Sequence, residues 1–264
     1  MKLIVVVTAT AAALLWAGLP AAGAAQASTV CTITVVNGSG SNCGPYSYRP
    51  EITASNGYTT YVGIDGWACG PASTSHPSGT DCGPTRLTAT SPGHWSLTTT
   101  EPKGNTAVLM YPSAYQLYSN PSLSRMKLVR SGFTESMPHD SGTIAHAAYD
   151  IWLNKSGPSN EVMIDLDNVN WSAAGSKFLG RAWFGHQRFT AYEYGGPGGE
   201  LIWRLDPSER TGTVHILLML RWLQKHGYIS QASTLGIVGF GWEICTTGGA
   251  AKQFSVSKFW LHTK

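Results

Sequence analysis

From Tyr58 to the C-terminus, short runs of alternating apolar and polar residues follow one another with little between them except turn-forming residues. The runs 58–62, 84–90, 94–99, 106–111, 147–153, 161–167, 182–193, 200–205, 234–245 and 253–261 each fit a strand with one buried face. Because these runs recur without long helical gaps, helical crossovers cannot join them. The expectation is an all-β antiparallel sandwich of two sheets. GSGSN at 38–42 and GGPGG at 195–199 read as loops within it.

One segment departs from this rhythm. GTVHILLMLRWLQKHG, residues 212–227, spaces Val214, Leu217, Leu218, Trp222 and either Leu220 or Leu223 at helical intervals, and Gly227 is placed to end the run. A single helix is expected there, with its Leu and Trp stripe in the core. His215 and His226 are given no functional role.

The first residues, MKLIVVVTATAAALLWAGLPAAGAAQAS, combine one Lys, an apolar run and small residues ending at Ala27. That is the pattern of a secretory signal, so 1–27 is expected to be removed and the protein exported. Residues 28–57 are then expected to form an N-terminal extension joined to the core by disulfides, and 58–264 a single domain. No later apolar run reaches the length of a membrane span. A net charge of +3 without any Lys/Arg cluster gives no basis for nucleic-acid binding.

Four of the five cysteines, Cys31, Cys43, Cys69 and Cys82, lie early in the chain, and in an exported protein they should form two disulfides with three possible connectivities. Cys245 is left over and is expected to be a buried free thiol. No spacing fits a tetrahedral zinc site, and DLDNVN at 165–170 has Val169 where a calcium loop needs oxygen. Neither a metal nor a cofactor is expected.

The chemistry concentrates in three strands. In EVMIDLDN (161–168), alternation turns Val162, Ile164 and Leu166 to one face and Glu161, Met163, Asp165 and Asp167 to the other. Only 12% of the chain is Asp, Glu, Lys or Arg, so so many acids on one short strand call for an explanation. The preceding run AAYDIWLN (147–154) sets Asp150 and Trp152 opposite an apolar face, and NKSGPSN between the runs suits a hairpin. Pairing would gather Asp150, Trp152, Glu161, Met163 and Asp165 on one surface. In GFGWEIC (239–245), Glu243 shares a face with Gly239 and Gly241, which either clear space beside the carboxylate or mark a β-bulge. Two carboxylates across an open cleft, with aromatics such as Trp67 and Trp152 to stack on sugar rings, are the equipment of a glycosidase.

The combination YPSAYQ (111–116), AAYDIWL (147–153), EVMI (161–164), GGPGGELIWRLD (195–206), the late helix and GFGWEICTTGG (239–249) resembles glycoside hydrolase family 12 from about Tyr58 onward. The resemblance implies a secreted two-sheet β-jelly roll with one helix on the convex side. It implies a retaining endo-β-1,4-glucanase of cellulase type, with Glu161 as nucleophile, Glu243 as acid/base, Asp150 beside the nucleophile, and Met163 and Trp67 against the sugar. Asp165 stands where the family usually has Trp, and Ile64 and Asp65 replace two amides before Trp67. Xyloglucan or mixed-linkage glucan is an alternative substrate, and a non-catalytic carbohydrate-binding jelly roll an alternative role. The expected partner is a polysaccharide, bound by a monomer. The resemblance also favours Cys43–Cys82 with Cys31–Cys69 over the nearest-neighbour pairs Cys31–Cys43 and Cys69–Cys82.

Overall fold

The computed structural model describes residues 30–35, 42–47 (backbone only for 44–47), 58–70, 80–154, 160–172 and 174–264. The expected signal segment 1–27 and the loop 38–41 lie outside them. In chain order the strands are β1 (Cys31–Val35), β2 (Cys43–Ser47), β3 (Thr59–Gly63), β4 (Thr85–Ser91), β5 (His94–Thr100), β6 (Ser113–Leu117), β7 (Val129–Ser136) and β8 (Ile144–Asn154). They continue with β9 (Glu161–Val169), β10 (Lys177–Phe184), β11 (Gln187–Tyr194), β12 (Glu200–Asp206), β13 (Thr211–Val214), β14 (Thr234–Thr246) and β15 (Ala251–Thr263). The helix α1 (Ile216–Lys225) lies between β13 and β14.

These strands form two sheets of the expected all-β sandwich. A six-stranded sheet has the order β1-β4-β5-β15-β7-β13, and a nine-stranded one the order β10-β11-β12-β9-β8-β14-β6-β3-β2. Neighbours are antiparallel except β9 and β12, which run parallel. The sheets meet through their apolar faces. Phe240 of β14 lies 5.4 Å from Phe133 and 5.6 Å from Phe259 across the gap, and Trp242 packs 4.9 Å from Trp95. Each such side chain, fully buried, contributes on the order of 1.5–3 kcal/mol.

The helix begins later than expected, because Thr211–Val214 is an edge strand instead of a first helical turn. Ile216, Leu217, Met219, Leu220 and Leu223 are its buried face; Leu218, expected in that stripe, is 50% exposed. Gly227 ends it in a left-handed conformation at φ 77°. Trp222 packs 4.9 Å from Trp203 of β12, so the helix covers part of the nine-stranded sheet on its convex side. The opposite face is left open.

The disulfides correct the favoured pairing. They join Cys31 to Cys43 and Cys69 to Cys82. Cys31 and Cys43 open β1 and β2, which touch where the two sheets come together. Backbone bonds between Gly70 and Thr80 at 2.7 and 3.0 Å draw Cys82 back to Cys69. Both bridges are therefore local, closing loops worth roughly 3 kcal/mol each, and neither ties 28–57 to the rest. The extension is instead built in by hydrogen bonds, with β1 on β4 in one sheet and β2 on β3 in the other. Cys245 is a buried free thiol.

Candidate active site

The acids come from neighbouring strands of the nine-stranded sheet. β8 runs between β9 and β14, antiparallel to both. Its residues Tyr149, Ile151 and Leu153 are in the core, so alternation turns His146, Ala148, Asp150 and Trp152 to the open face. On β9, Val162 and Ile164 face the core while Glu161, Met163 and Asp165 face outward. On β14, Val238, Phe240 and Trp242 are core residues and Glu243 is not.

The expected hairpin pairing is present, with Glu161 opposite Trp152, Met163 opposite Asp150 and Asp165 opposite Ala148. Glu243 lies opposite His146 on the other side of β8. Glu161 and Glu243 thus stand at diagonal corners of a patch whose floor is Met163, Asp150, Ala148, Gly239 and Gly241. Met163 is buried with Ala148 and Ile202 in a small apolar cluster on this face.

Asp167 does not share the acid face. Ala147 pairs with Asp167 and Ala148 with Asp165, leaving Leu166 as an extra residue on β9. This bulge reverses the alternation. Asp167 instead meets His139 at 2.7 Å and Arg210 at 3.3 Å.

The glycines before Glu243 form no bulge, since the register shifts of β14 fall elsewhere, and Gly239 lines open space beside Asp150. A Cβ on Gly241 would stand 1.9 Å from the Pro112 carbonyl oxygen, and one on Gly239 would stand 3.2 Å from the Tyr111 ring. They admit the 110–113 segment, which bonds to β14 through Ile244 N–H to Met110 O and Trp242 N–H to Pro112 O.

Burial first, and then the crowding of acids on this face, raises their pKa values. Burial pushes Glu161 up to about 7, and the charge of Glu243 adds to it. Burial and then Glu161 push Asp150 up to about 8, against the hydrogen bond that Trp152 Nε1 donates to Asp150 Oδ2 at 2.7 Å. Glu200, opening β12, is pushed up to about 9 by burial, then by Glu243 and Glu161. Near neutrality Asp150 and Glu200 are therefore protonated while Glu161 passes between its two forms.

Beside Asp150 opens a cavity of about 380 Å³, lined by Asn42, Asp65, Tyr111, Tyr115, Trp152 and Gly239 among others. Tyr115 accepts a hydrogen bond from Asn42 at 2.7 Å and stacks on Tyr61. Trp67, 40% exposed on the turn after β3, is not part of that lining. Asp165, at 2% exposure, lies under the surface between His146 and Arg204. His146, Glu200 and Arg204 went unnoticed in the sequence, although alternation along IAHAAYD and ELIWRLD places all three on the acid face.

No protein-family model and no curated protein sequence matches the chain. Solved structures do. The family 12 xyloglucanase from Bacillus licheniformis, solved with a ligand, superposes with a TM-score of 0.65 at 16% identity, over 89% of this chain and 100% of that one. The xyloglucanase domain of NopAA from Sinorhizobium fredii, in complex with cellobiose, gives 0.62 at 21% identity over 84% and 97%. Endoglucanase 3 of Trichoderma harzianum, also family 12, gives 0.62 at 16% identity over 81% and 100%. The jelly-roll fold is therefore one this chain shares with family 12 cellulases and xyloglucanases.

Proposed function

We propose that the chain is a secreted, monomeric endo-hydrolase of β-1,4-glucans that acts with retention of anomeric configuration. The Glu161 carboxylate attacks the anomeric carbon while the Glu243 carboxyl protonates the departing glycosidic oxygen. Glu243 then takes a proton from water, whose oxygen attacks the same carbon and releases Glu161. The observation that carries this reading is the placement of both glutamates on one open face, flanking β8, with Asp150 between them.

In this reading Met163 forms an apolar floor under the sugar, and Trp152 and Tyr115 line the groove that receives neighbouring rings. Trp67 is assigned to a more distant subsite. At 2% exposure Asp165 does not stack on the sugar.

The test is incubation of the protein with carboxymethylcellulose, xyloglucan and mixed-linkage β-glucan, followed by measurement of new reducing ends. Release from any of them that is abolished in Glu161→Gln supports the reading, and the preferred polymer identifies the substrate. Full activity in Glu161→Gln would refute the assignment, and binding without cleavage in the parent would make the protein a carbohydrate-binding jelly roll.

A further inference from the structure

Behind Glu243 lies a row of charged side chains that the proposed chemistry leaves unused. His146 Nε2 is 3.0 Å from Glu243 Oε2 and 3.7 Å from Asp165 Oδ1, and Arg204 Nε is 3.8 Å from Asp165 Oδ2. The row crosses four adjacent strands, β14, β8, β9 and β12, and its members form two direct cross-strand pairs: Glu243 opposite His146, and Arg204 opposite Asp165. Trp171 closes it from above, with its ring 4.2 Å from the imidazole and under the Arg204 guanidinium at 5.2 Å.

Resting on the reading of Glu243 as the acid/base, we propose that His146 is a positioning residue that holds the Glu243 carboxyl through Nε2–H and is itself kept in place by Asp165. The side chain of His146 is 1% exposed, so it cannot touch a polysaccharide; whatever it does, it does through Glu243. A hydrogen bond to Oε2 leaves Oε1 as the oxygen that delivers and recovers the proton. Both Asp165 oxygens are buried with no hydrogen-bond donor among the described residues. Such a carboxylate is costly to stability, and the charges set against it among the described residues are His146 and Arg204. That cost is intelligible if Asp165 serves the imidazole.

The charged groups facing His146 are Glu243 from β14, Asp165 from β9 and Arg204 from β12. Burial works against the imidazolium, but Asp165 and Glu243 outweigh it and hold the imidazole above its ordinary value, with Arg204 opposing them. The group facing Glu243 is then a cationic donor that fixes which way the carboxyl points.

The test has two arms on the full chain. With ¹⁵N-labelled histidine, the His146 titration should fall by about one pH unit in Glu243→Gln and in Asp165→Asn; an unchanged titration in both would overturn the proposal whether or not the protein is active. In the kinetic arm, His146→Asn keeps a donor and should retain about tenfold more kcat than His146→Ala, with KM unchanged. His146→Ala should lower kcat by roughly 10²-fold at constant KM, and Asp165→Asn, which keeps the volume, replaces it if that variant does not fold. A kcat in His146→Ala equal to the parent's, or a rise in KM at constant kcat, would overturn the proposal. A parent inactive on every glucan refutes the hydrolase reading alone, and the titration arm then decides the contact.

Discussion

Asp165 and Asp167 lie two residues apart on β9 and turn to opposite sides of the sheet. Asp165 faces His146 beneath the candidate site, while Asp167 reaches His139 and Arg210 and interacts with Glu135 of the other sheet. The extra residue Leu166 between them separates a carboxylate at the site from one that helps to close the end of the sandwich.

The two glutamates should fail in different ways when changed. Glu243→Gln should lose about 10²–10⁴-fold in kcat on polymeric glucan, and much less on an aryl glycoside whose phenolate departs without protonation. Steady-state kinetics on both substrates check this. Equal losses on the two would count against Glu243 as the acid.

Activity should also fall as the pH drops. Glu161 must be ionised to attack, and burial with the Glu243 charge raises it to about 7. Below that pH it is protonated, so kcat/KM should fall about tenfold per unit. In Glu243→Gln the second cause is gone, and the acid limb, followed on an aryl glycoside, should move to lower pH. An acid limb left in place would mean that Glu161 is not the group being titrated.

Glu135 gives a prediction about stability. It is buried against Trp242, whose Nε1 donates to Oε2 at 3.0 Å, and burial raises it from 4.5 to about 7. The folded state holds this proton more tightly than the unfolded state. Its stabilising contribution is therefore fully present below pH 4.5 and is lost as the pH rises through 7. Urea unfolding at pH 5 and pH 8 should show that Glu135→Gln reduces the loss across that interval by roughly 2–3 kcal/mol. An unaltered difference would contradict the prediction.

Gly241→Ala should destabilise the fold by about 1–3 kcal/mol. The added methyl meets the Pro112 carbonyl at 1.9 Å, and that carbonyl accepts from Trp242. Thermal unfolding would register the loss, and a variant as stable as the parent would show that 110–113 yields without cost.

Much of this was legible in the sequence because alternation is a local signal. The face shared by Asp150, Trp152, Glu161, Met163 and Asp165 follows directly from the periodicity of two adjacent runs. What failed depends on contacts distant in sequence. The run 106–111 is not a strand, because Met110 and Pro112 are held by β14 while the strand proper begins at Ser113. The run 182–193 is two strands, turned at Gly185 with φ 67°. His146 falls outside the run because that run begins at Ala147, three residues after β8 starts at Ile144. The role of Gly241 depends on Pro112, and the bulge at Leu166 on the partner register of β8. Alternation within one run carries neither, and the disulfide pairing likewise required knowing that β1 and β2 end up in different sheets.

That last arrangement bears on how the protein is handled. β1 extends the six-stranded sheet from β4 and β2 extends the nine-stranded sheet from β3, with the Cys31–Cys43 bridge between their starts. A version trimmed to begin at Tyr58 would bare one edge of each sheet at once, and with β2 would go Asn42, which orients Tyr115 at the groove. β4 and β3 would then become the edge strands in place of β1 and β2, each open to strand addition by a neighbouring molecule.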